Sequence, residues 1–290
     1  MTRPVRITLN ALTIALLAAA WPAAADLPPP GRLFDLVGPR ALGVSAATAG
    51  TTGTEAIFVN PAAIGIRTGF VAETLGVQER RGADTVSRYL GGVVVDGVSS
   101  PVAAGFGYFR SMSGEQKGNL YFLTLAGPLS ERLHVGLQGR YMNLGGVEPI
   151  NAITFDAGVN YQASSLVTIG VAGFNLVPTA HPEQLPQAMS AGLAIGTDTF
   201  FRVLGDWKGT WLPHGRMAHR YAAGADALLG GMVVLRAGWK RDELLETSWW
   251  SAGVGLVTGD GFALDVGYKQ SFEATSAREM GLSLRYYPPQ

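Results

Sequence analysis

Apolar side chains alternate with small or polar side chains along most of the chain after residue 67, in segments of about ten residues. The alternation is clearest in residues 153–161, where one set of positions holds Ile153, Phe155, Ala157, Val159 and Tyr161 and the other holds Thr154, Asp156, Gly158 and Asn160. The same pattern recurs in residues 133–141, 232–240 and 262–269. Because successive side chains of a β-strand point to opposite faces, this period of two predicts strands. The sequence therefore predicts an all-β protein.

Fourteen segments carry the pattern. They are residues 68–78, 87–96, 102–111, 119–127, 133–143, 153–162, 166–175, 188–197, 200–208, 219–228, 232–240, 249–257, 262–270 and 278–287. Residues 68–78 and 119–127 alternate least clearly, because both of their faces are apolar. A strand of about ten residues, when tilted, is long enough to cross a bilayer.

The connections between these segments alternate in length. The longer ones are residues 79–86, 112–118, 144–152, 176–187, 209–218, 241–248 and 271–277, and the shorter ones are residues 97–101, 128–132, 163–165, 197–199, 229–231 and 258–261. Outer-membrane barrels have short periplasmic turns and longer outer loops, and an even strand number leaves both termini in the periplasm. We therefore expect a closed antiparallel transmembrane β-barrel of about 14 strands over residues 68–287, rather than a secreted β-sandwich.

The first 25 residues have the composition of a secretory signal peptide. Arg3 and Arg6 precede an apolar run in residues 11–20, and Ala23-Ala24-Ala25 supply a cleavage site. We expect cleavage near Ala25, export to the outer membrane of a Gram-negative-type bacterium, and a proline-rich leader in residues 26–37. The chain has 22 basic and 22 acidic residues and no cysteine. Loss of Arg3 and Arg6 leaves a slight acidic excess, so we expect no nucleic-acid partner. Because the chain has no cysteine, we also expect no disulfide scaffold.

Residues 38–67 show neither a helical nor a strand pattern. Small residues dominate them, and Arg40 and Glu55 are the only charges in residues 38–65. We interpret these residues as a periplasmic-side hatch or plug that sits inside or beneath the barrel. An ordinary surface loop is the alternative. The Asn60-Pro61-Ala62 sequence favours a turn, which we expect at the periplasmic rim, leading into the first strand.

The more polar set of strand positions is expected to face the lumen. Glycines recur there, and they leave space for water, a solute or a plug. The charged side chains of this set are of mixed sign and predict ion pairs along the luminal wall: Arg88, Asp96, Arg140, Asp156, Arg202, Asp206, Asp226, Arg236, Lys240, Asp265, Lys269, Glu279 and Arg285. Such a balance disfavours a strongly ion-selective pore.

Several short motifs resemble the long-chain fatty-acid transporter (FadL) superfamily, and more closely its PorV-like branch. They are Ala41-Leu42-Gly43-Val44 through Asn60-Pro61-Ala62, then Pro128 to Leu133, Ile169-Gly170 through Phe174-Asn175-Leu176 to Leu193, and Leu235 to Trp239. The resemblance implies a fourteen-stranded barrel with an N-terminal hatch, whose gate residues would be Asn60, Pro61, Ala62, Glu55 and Arg40. Thr54-Glu55-Ala56 stands where this group often has an acidic pair.

The resemblance implies two functions that the sequence leaves open. The barrel would pass small hydrophobic solutes across the outer membrane through a hatch-gated lumen, or it would act as a PorV-like scaffold for secreted or surface proteins. The expected partners are outer-membrane lipid together with hydrophobic small molecules or such proteins. We predict no enzyme, no catalytic residue and no cofactor, although a hydrolase acting through His134 is an alternative. His214 and His219 lie in a predicted loop without Cys or clustered carboxylates, so we predict no metal site.

Overall fold

The computed structural model describes residues 36–66, 69–112, 116–146, 149–212, 215–273 and 277–288. The predicted signal peptide and most of the predicted leader lie outside the described residues. Within these ranges the chain begins with a helix, α1 (Pro39–Val44), and two 3₁₀ helices, Gly53–Phe58 and Pro61–Gly65. Among the described residues, no helix is long and apolar enough to cross a membrane.

The described residues then form fourteen strands. They are β1 (Phe70–Arg81), β2 (Asp84–Asp96), β3 (Ala103–Met112), β4 (Gln116–Ser130), β5 (Leu133–Gly146), β6 (Ile150–Gln162), β7 (Val167–Phe174), β8 (Ala188–Gly196), β9 (Phe201–Trp211), β10 (Met217–Leu229), β11 (Val233–Asp242), β12 (Thr247–Val257), β13 (Phe262–Ser271) and β14 (Ala277–Tyr286). Each strand pairs with its neighbours in sequence, and β1 pairs antiparallel with β14, so the sheet is a closed barrel. The predicted all-β, closed fourteen-stranded barrel is confirmed.

The outer surface of the barrel is apolar, as the alternation predicts. Large apolar side chains on alternate strand positions point away from the lumen, and Leu137, Ile153 and Leu123 expose 67%, 61% and 60% of their area. Their neighbours Gln138 and Thr154 point inward and are buried. A soluble protein does not expose so continuous an apolar surface, whereas a barrel surrounded by lipid must. The fold is that of a transmembrane barrel.

The predicted alternation of long and short connections is wrong. The strands extend into six of the seven stretches that were expected to form long loops, and the β1–β2 connection is only the pair Gly82 and Ala83. Residues 79–81 remain paired with both β14 and β2, which extends the ladder beyond the apolar belt. At the same end of the barrel as the β1–β2 connection, residues 175–187 form a longer connection, which joins β7 to β8. Polar residues at strand ends can therefore extend a ladder as readily as they form a loop.

Candidate functional site: the inner segment and the lumen

Residues 36–66, here called the inner segment, lie within the lumen of the barrel. Helix α1 contacts the inner faces of β10 to β14, the 3₁₀ helix Gly53–Phe58 contacts β1 to β3, and the 3₁₀ helix Pro61–Gly65 contacts β3 to β6. These contacts are distributed around the barrel wall. The inner segment therefore crosses the lumen instead of lying along one side of it.

A ring of inward-facing glycines allows the inner segment to approach the wall closely. Their positions on β5–β8 and β10–β14 are Gly136, Gly158, Gly170, Gly192, Gly224, Gly238, Gly253, Gly267 and Gly281. Many of them are directly opposed across strand pairs, such as Gly224 with Gly238. A Cβ atom on Gly238 would be 2.5 Å from the carbonyl carbon of Val44, and one on Gly136 would be 2.5 Å from the backbone nitrogen of Ala62. Any larger residue in this ring would displace the inner segment or the wall.

Arg40 and Glu55, two of the predicted gate residues, form an ion pair inside the inner segment. Arg40 Nε lies 3.3 Å from Glu55 Oε1, and the Glu55 carboxylate also accepts hydrogen bonds of 3.0 Å from the backbone N–H groups of Arg40 and Ala41. The carboxylate therefore caps the first turn of α1. Arg40 also lies 3.7 Å from Glu73 of β1, whose carboxylate accepts a hydrogen bond from Thr54. Burial opposes the charge of Arg40, but Glu55 and Glu73 outweigh it and raise the pKa of this guanidinium above its ordinary value.

Asn60, Pro61 and Ala62, the other predicted gate residues, lie inside the lumen rather than at its rim. Asn60 is fully buried and donates hydrogen bonds to the carbonyl oxygens of Thr48 (3.1 Å) and Val159 (3.0 Å). Its Oδ1 accepts from the N–H of Ala62 at 3.2 Å, which caps the 3₁₀ helix Pro61–Gly65. Asn60 thus joins two turns of the inner segment to β6. The expected turn exists, but its expected position at the rim is wrong.

Polar side chains of the wall hold the backbone of residues 43–50. Asp206 of β9 accepts hydrogen bonds from the N–H groups of Ala47 (2.6 Å) and Thr48 (2.8 Å). Arg202 donates to the carbonyl oxygen of Gly50 at 2.8 Å, Asn160 donates to that of Ala49 at 3.4 Å, and Ser251 donates to that of Gly43 at 2.9 Å. These bonds satisfy backbone groups that a short irregular segment cannot pair internally.

The remaining inward charges form ion pairs, which join different strands except for Lys240–Asp242 within β11. The distances between charged atoms are 2.7 Å for Arg140–Asp156, 2.5 Å for Arg202–Asp226, 2.8 Å for Arg236–Asp265, 3.0 Å for Arg285–Asp265, 2.5 Å for Lys269–Glu279 and 4.0 Å for Lys240–Asp242. Together with Asp206, these side chains place eleven of the thirteen predicted luminal charges on the inner face.

Arg88 and Asp96 lie on the outer face, so their predicted luminal position is wrong. They share a face with Leu90, which is 55% exposed, whereas Tyr89 and Val95 of the same strand are buried. Asp96 accepts hydrogen bonds from two backbone N–H groups of the next turn. Gly92 lies on this outer face as well. The rule that polar positions face the lumen fails here because the inner face of β1–β4 packs against apolar residues of the inner segment.

That apolar contact centres on Phe58. Its ring lies 5.3 Å from the ring of Phe109 and 5.7 Å from that of Phe122, in edge-to-face arrangements. Ile57 and Ile64 are fully buried in the same cluster. One side of the lumen is therefore apolar, while the side formed by β5–β14 carries most of the ion pairs.

Glu73, Asn160 and Ser251 bind the inner segment but were not among the predicted site residues. Glu73 was missed because its strand alternates weakly in the sequence. Asn160 and Ser251 stand on the predicted inward positions of clear strands, so their parity was a usable signal. Their partners, which are backbone groups of the inner segment, have no signature in the sequence.

The inner segment leaves a cavity on each side of it. The cavity toward the end that carries residues 175–187 has a volume of about 130 Å³ and is lined by Phe58, Val77, Tyr89, Lys240, Trp249 and Lys269, among others. The cavity toward the opposite end, where residues 197–200 and 258–261 form turns, is here called the short-turn cavity and has a volume of about 260 Å³. Four arginines and several aliphatic side chains line it.

The described residues contain no group of three or more His, Cys, Asp or Glu side chains placed to hold a metal ion. His214, one of the two histidines considered for a metal site, lies outside the described residues. The lumen, as the preceding contacts describe it, offers internal space, apolar surface and paired charges.

No protein-family model matches the chain, and no curated protein matches it in sequence. Solved structures do match its fold. A monoaromatic hydrocarbon channel, CymD, has a TM-score of 0.67 at 16% identity, with 90% of this chain and 99% of that chain covered. The Ralstonia pickettii toluene transporter TbuX has a TM-score of 0.65 at 14% identity, with 89% and 100% covered. A Pseudomonas aeruginosa FadL homologue has a TM-score of 0.61 at 12% identity, with 86% and 98% covered. The chain thus shares the barrel fold of these proteins along nearly its whole described length.

Proposed function

We propose that this protein is a FadL-type outer-membrane barrel that passes small hydrophobic solutes, with the inner segment as its gate. The observation that carries the proposal is the lumen itself. It is crossed by a short segment that is held by hydrogen bonds and close packing, and a cavity lies on each side of that segment. Displacing the segment would join the two cavities.

The outer surface and the fold support this proposal. The exposed apolar belt suits lipid, and the predicted signal peptide would direct the chain through the inner membrane. Two of the solved structures that share the fold are named as a hydrocarbon channel and a toluene transporter. An outer-membrane location follows from the same reasoning.

The apolar side of the lumen is the proposed path. Phe109 and Phe122 are covered by Phe58, so movement of the inner segment would open an apolar surface along β1–β4. On the other side, Asp206 and Asn160 would lose backbone partners and be solvated by water. The gate would therefore separate an apolar strip from a polar strip, and a hydrophobic solute would follow the apolar one.

A reversible disulfide tests the gate. The Oγ atoms of Ser45 in the inner segment and Ser251 of β12 are 2.9 Å apart, and the chain contains no cysteine. The double variant Ser45→Cys with Ser251→Cys should form a disulfide that locks the segment to the wall. We expect uptake of a radiolabelled monoaromatic hydrocarbon by Gram-negative cells that produce this variant to fall to the level of cells without the barrel, and to recover with dithiothreitol.

Each single cysteine variant is the matched control: it cannot form the disulfide, so its uptake should be the same with and without dithiothreitol. Equal uptake by the oxidised and reduced double variant, with the disulfide verified by mass spectrometry, would contradict gating by this segment. No uptake by the unmodified protein would contradict the transport function itself.

The second candidate is a PorV-like scaffold for protein export or surface assembly. It is favoured by the shortness of most connections at the end of the barrel that carries residues 175–187, which form the longest connection among the described residues. Such short connections offer little structure for capturing a solute. A photocrosslinker introduced at Glu183, which is exposed in this connection, should then recover one defined protein partner. Recovery of lipid alone would contradict the scaffold role.

A further inference from the structure

Three cationic side chains lie close together on the outer face of β2–β4. Arg110 of β3 is opposite Leu90 of β2, which is two residues from Arg88. On its other side, Arg110 is opposite Asn119 of β4, which is two residues from Lys117. Diagonal neighbours of this kind have Cβ atoms about 7–8 Å apart. Arg88, Arg110 and Lys117 are all exposed, and together they are here called the basic patch.

The hydrogen-bond partners of the basic patch are neutral. Arg88 Nη2 donates to Gln78 Oε1 at 3.3 Å, and Arg110 Nη1 donates to Asn119 Oδ1 at 3.0 Å. Both acceptors are side-chain amides, which carry no charge. Lys117 has no hydrogen-bond or ion-pair partner among the described residues. These contacts orient the two arginines without cancelling their charge.

The acidic residues of β1–β4 do not cancel it either. Glu73 is paired with an arginine of the inner segment, and Glu79 lines the cavity toward residues 175–187, so both point into the lumen. Asp96 lies at the opposite end of β2, and Asp84 is opposite Arg81 at the tip of the β1–β2 hairpin. Within the described part of these strands, the basic patch is therefore uncompensated positive charge on the face that lipid covers.

The basic patch lies at the level of lipid headgroups. Tyr108 of β3, Tyr121 of β4 and Tyr141 of β5 form a row on the outer face, with neighbouring ring centres 5.3 Å and 5.9 Å apart. Such aromatic rows mark the boundary between hydrocarbon and headgroups. Arg110 is two residues beyond Tyr108, on the side away from the exposed Phe106, and two residues of a strand span at most about 7 Å. Phosphate groups of a lipid lie at this depth.

The chemistry of the outer leaflet matches this position. Strand β1 begins and β14 ends at the opposite end of the barrel, and in outer-membrane barrels with an even strand number that end is periplasmic. The basic patch then faces the outer leaflet, a step that rests on the proposed outer-membrane location. The main lipid of that leaflet in Gram-negative bacteria is lipopolysaccharide, whose lipid A anchor carries phosphate groups on a disaccharide.

We propose that the basic patch binds the phosphorylated headgroup of lipid A. Arg88 and Arg110 donate planar pairs of N–H groups to phosphate oxygens, and Lys117 adds a point charge. Acyl chains of the same lipid lie along the apolar face below the tyrosine row, where Phe106 and Leu123 are exposed and opposite each other. The site lies outside the lumen, so it is separate from solute transport.

Native mass spectrometry of the purified full-length protein in a nonionic detergent counts the lipid molecules that stay bound. Lipid A with both phosphates should bind saturably. Lipid A with the same acyl chains but no phosphate should bind at least about tenfold more weakly, because the attraction of three cations is lost. Inorganic phosphate at the same concentration should not displace lipid A, because it has no acyl chains to contact the apolar face.

Substitutions isolate the charges. Each of Arg88→Gln, Arg110→Gln and Lys117→Gln should weaken lipid A binding about fivefold, and the triple variant about 100-fold, because each cation near an anionic lipid contributes a similar attraction. Arg110→Lys keeps the charge and should lose less than Arg110→Gln. The matched control is Arg241→Gln, which removes a cation at the same rim that Glu273 already neutralises at 3.3 Å, and it should bind like the unmodified protein.

Four results would overturn the proposal. They are no saturable binding of lipid A to the unmodified protein, equal binding of the phosphorylated and phosphate-free lipids, unchanged binding in the folded triple variant, and an equal loss in Arg241→Gln. Displacement of lipid A by inorganic phosphate would make the patch a site for bare anions, and the lipid assignment would be wrong. Solute uptake is a separate measurement, so a failed transport assay and a failed lipid-binding assay refute different proposals.

Discussion

Gly136→Ala should displace the inner segment, because Gly136 of β5 lies directly against the Pro61–Ala62 peptide bond. An added Cβ would be 2.5 Å from the carbonyl carbon of Pro61, 2.5 Å from the nitrogen of Ala62 and 2.6 Å from the oxygen of Pro61. Carbon atoms normally approach to about 3.5 Å, so these atoms must separate by about 1 Å. All three are backbone atoms, and no side-chain rotation relieves the overlap.

The inner segment should yield before the wall does. Strand β5 is hydrogen-bonded to β4 on one side and to β6 on the other over most of its length. The Pro61–Ala62 region is held mainly by Asn60, whose hydrogen bonds to Thr48, Val159 and Ala62 depend on the present position of the turn. Inserting a methyl group into a packed interior costs about 1–3 kcal/mol. That cost falls on the docking of the inner segment.

Amide hydrogen exchange read by mass spectrometry measures this docking. A loss of about 1–3 kcal/mol raises the open population, and hence the exchange rate in residues 36–66, by about 5- to 150-fold. Exchange in β4–β6 should change little. Gly139→Ala is the matched control on the same strand, since its Cβ would lie 3.7 Å from the Phe155 ring, which is an ordinary contact.

The reasoning is refuted if Gly136→Ala and Gly139→Ala exchange alike. It is also refuted if the extra exchange of Gly136→Ala appears in β4–β6 rather than in the inner segment, because the wall would then be the softer element. If the inner segment is the gate, uptake of a hydrophobic solute should rise in Gly136→Ala and stay unchanged in Gly139→Ala.

Three further predictions concern the polar contacts. Asn60→Ala removes two donors and a helix cap and should weaken docking by about 1–3 kcal/mol, seen as faster exchange in residues 36–66; unchanged exchange would contradict its structural role. Asp206→Asn replaces a charged acceptor of two N–H groups, so amide exchange at residues 47 and 48 should increase more than exchange in the wall does. A larger increase in the wall would contradict the role of this contact. Arg140→Gln leaves Asp156 buried without its cation and should cost the barrel about 3–5 kcal/mol, whereas Arg241→Gln at an exposed pair should cost about 0–1 kcal/mol; equal heat-induced shifts of the folded band on gels would contradict this difference.

The sequence predicted the barrel because its strands obey a period of two, and it predicted most luminal charges for the same reason. It did not predict strand lengths. Residues 79–81 are polar on both faces, and only their pairing with β14 and β2 shows that the ladder continues. The sequence did not predict the partners of Asn160 and Ser251 either. Both side chains bind backbone groups, and backbone groups are the same for nearly every residue type.

The apolar filling of the lumen explains why parity failed in a particular part of the barrel. A strand alternates clearly when lipid covers one face and water or ions cover the other. Over most of their length, strands β1–β4 instead face lipid outside and the apolar cluster around Phe58 inside, so their alternation is weak; Glu73 is a charge on the inner face and Arg88 is one on the outer face. Residues 68–78 and 119–127, whose alternation is weakest, belong to this region. Weak alternation in consecutive strands of a barrel is therefore evidence about what occupies the lumen beside them, and here it marks the side where the apolar part of the inner segment packs.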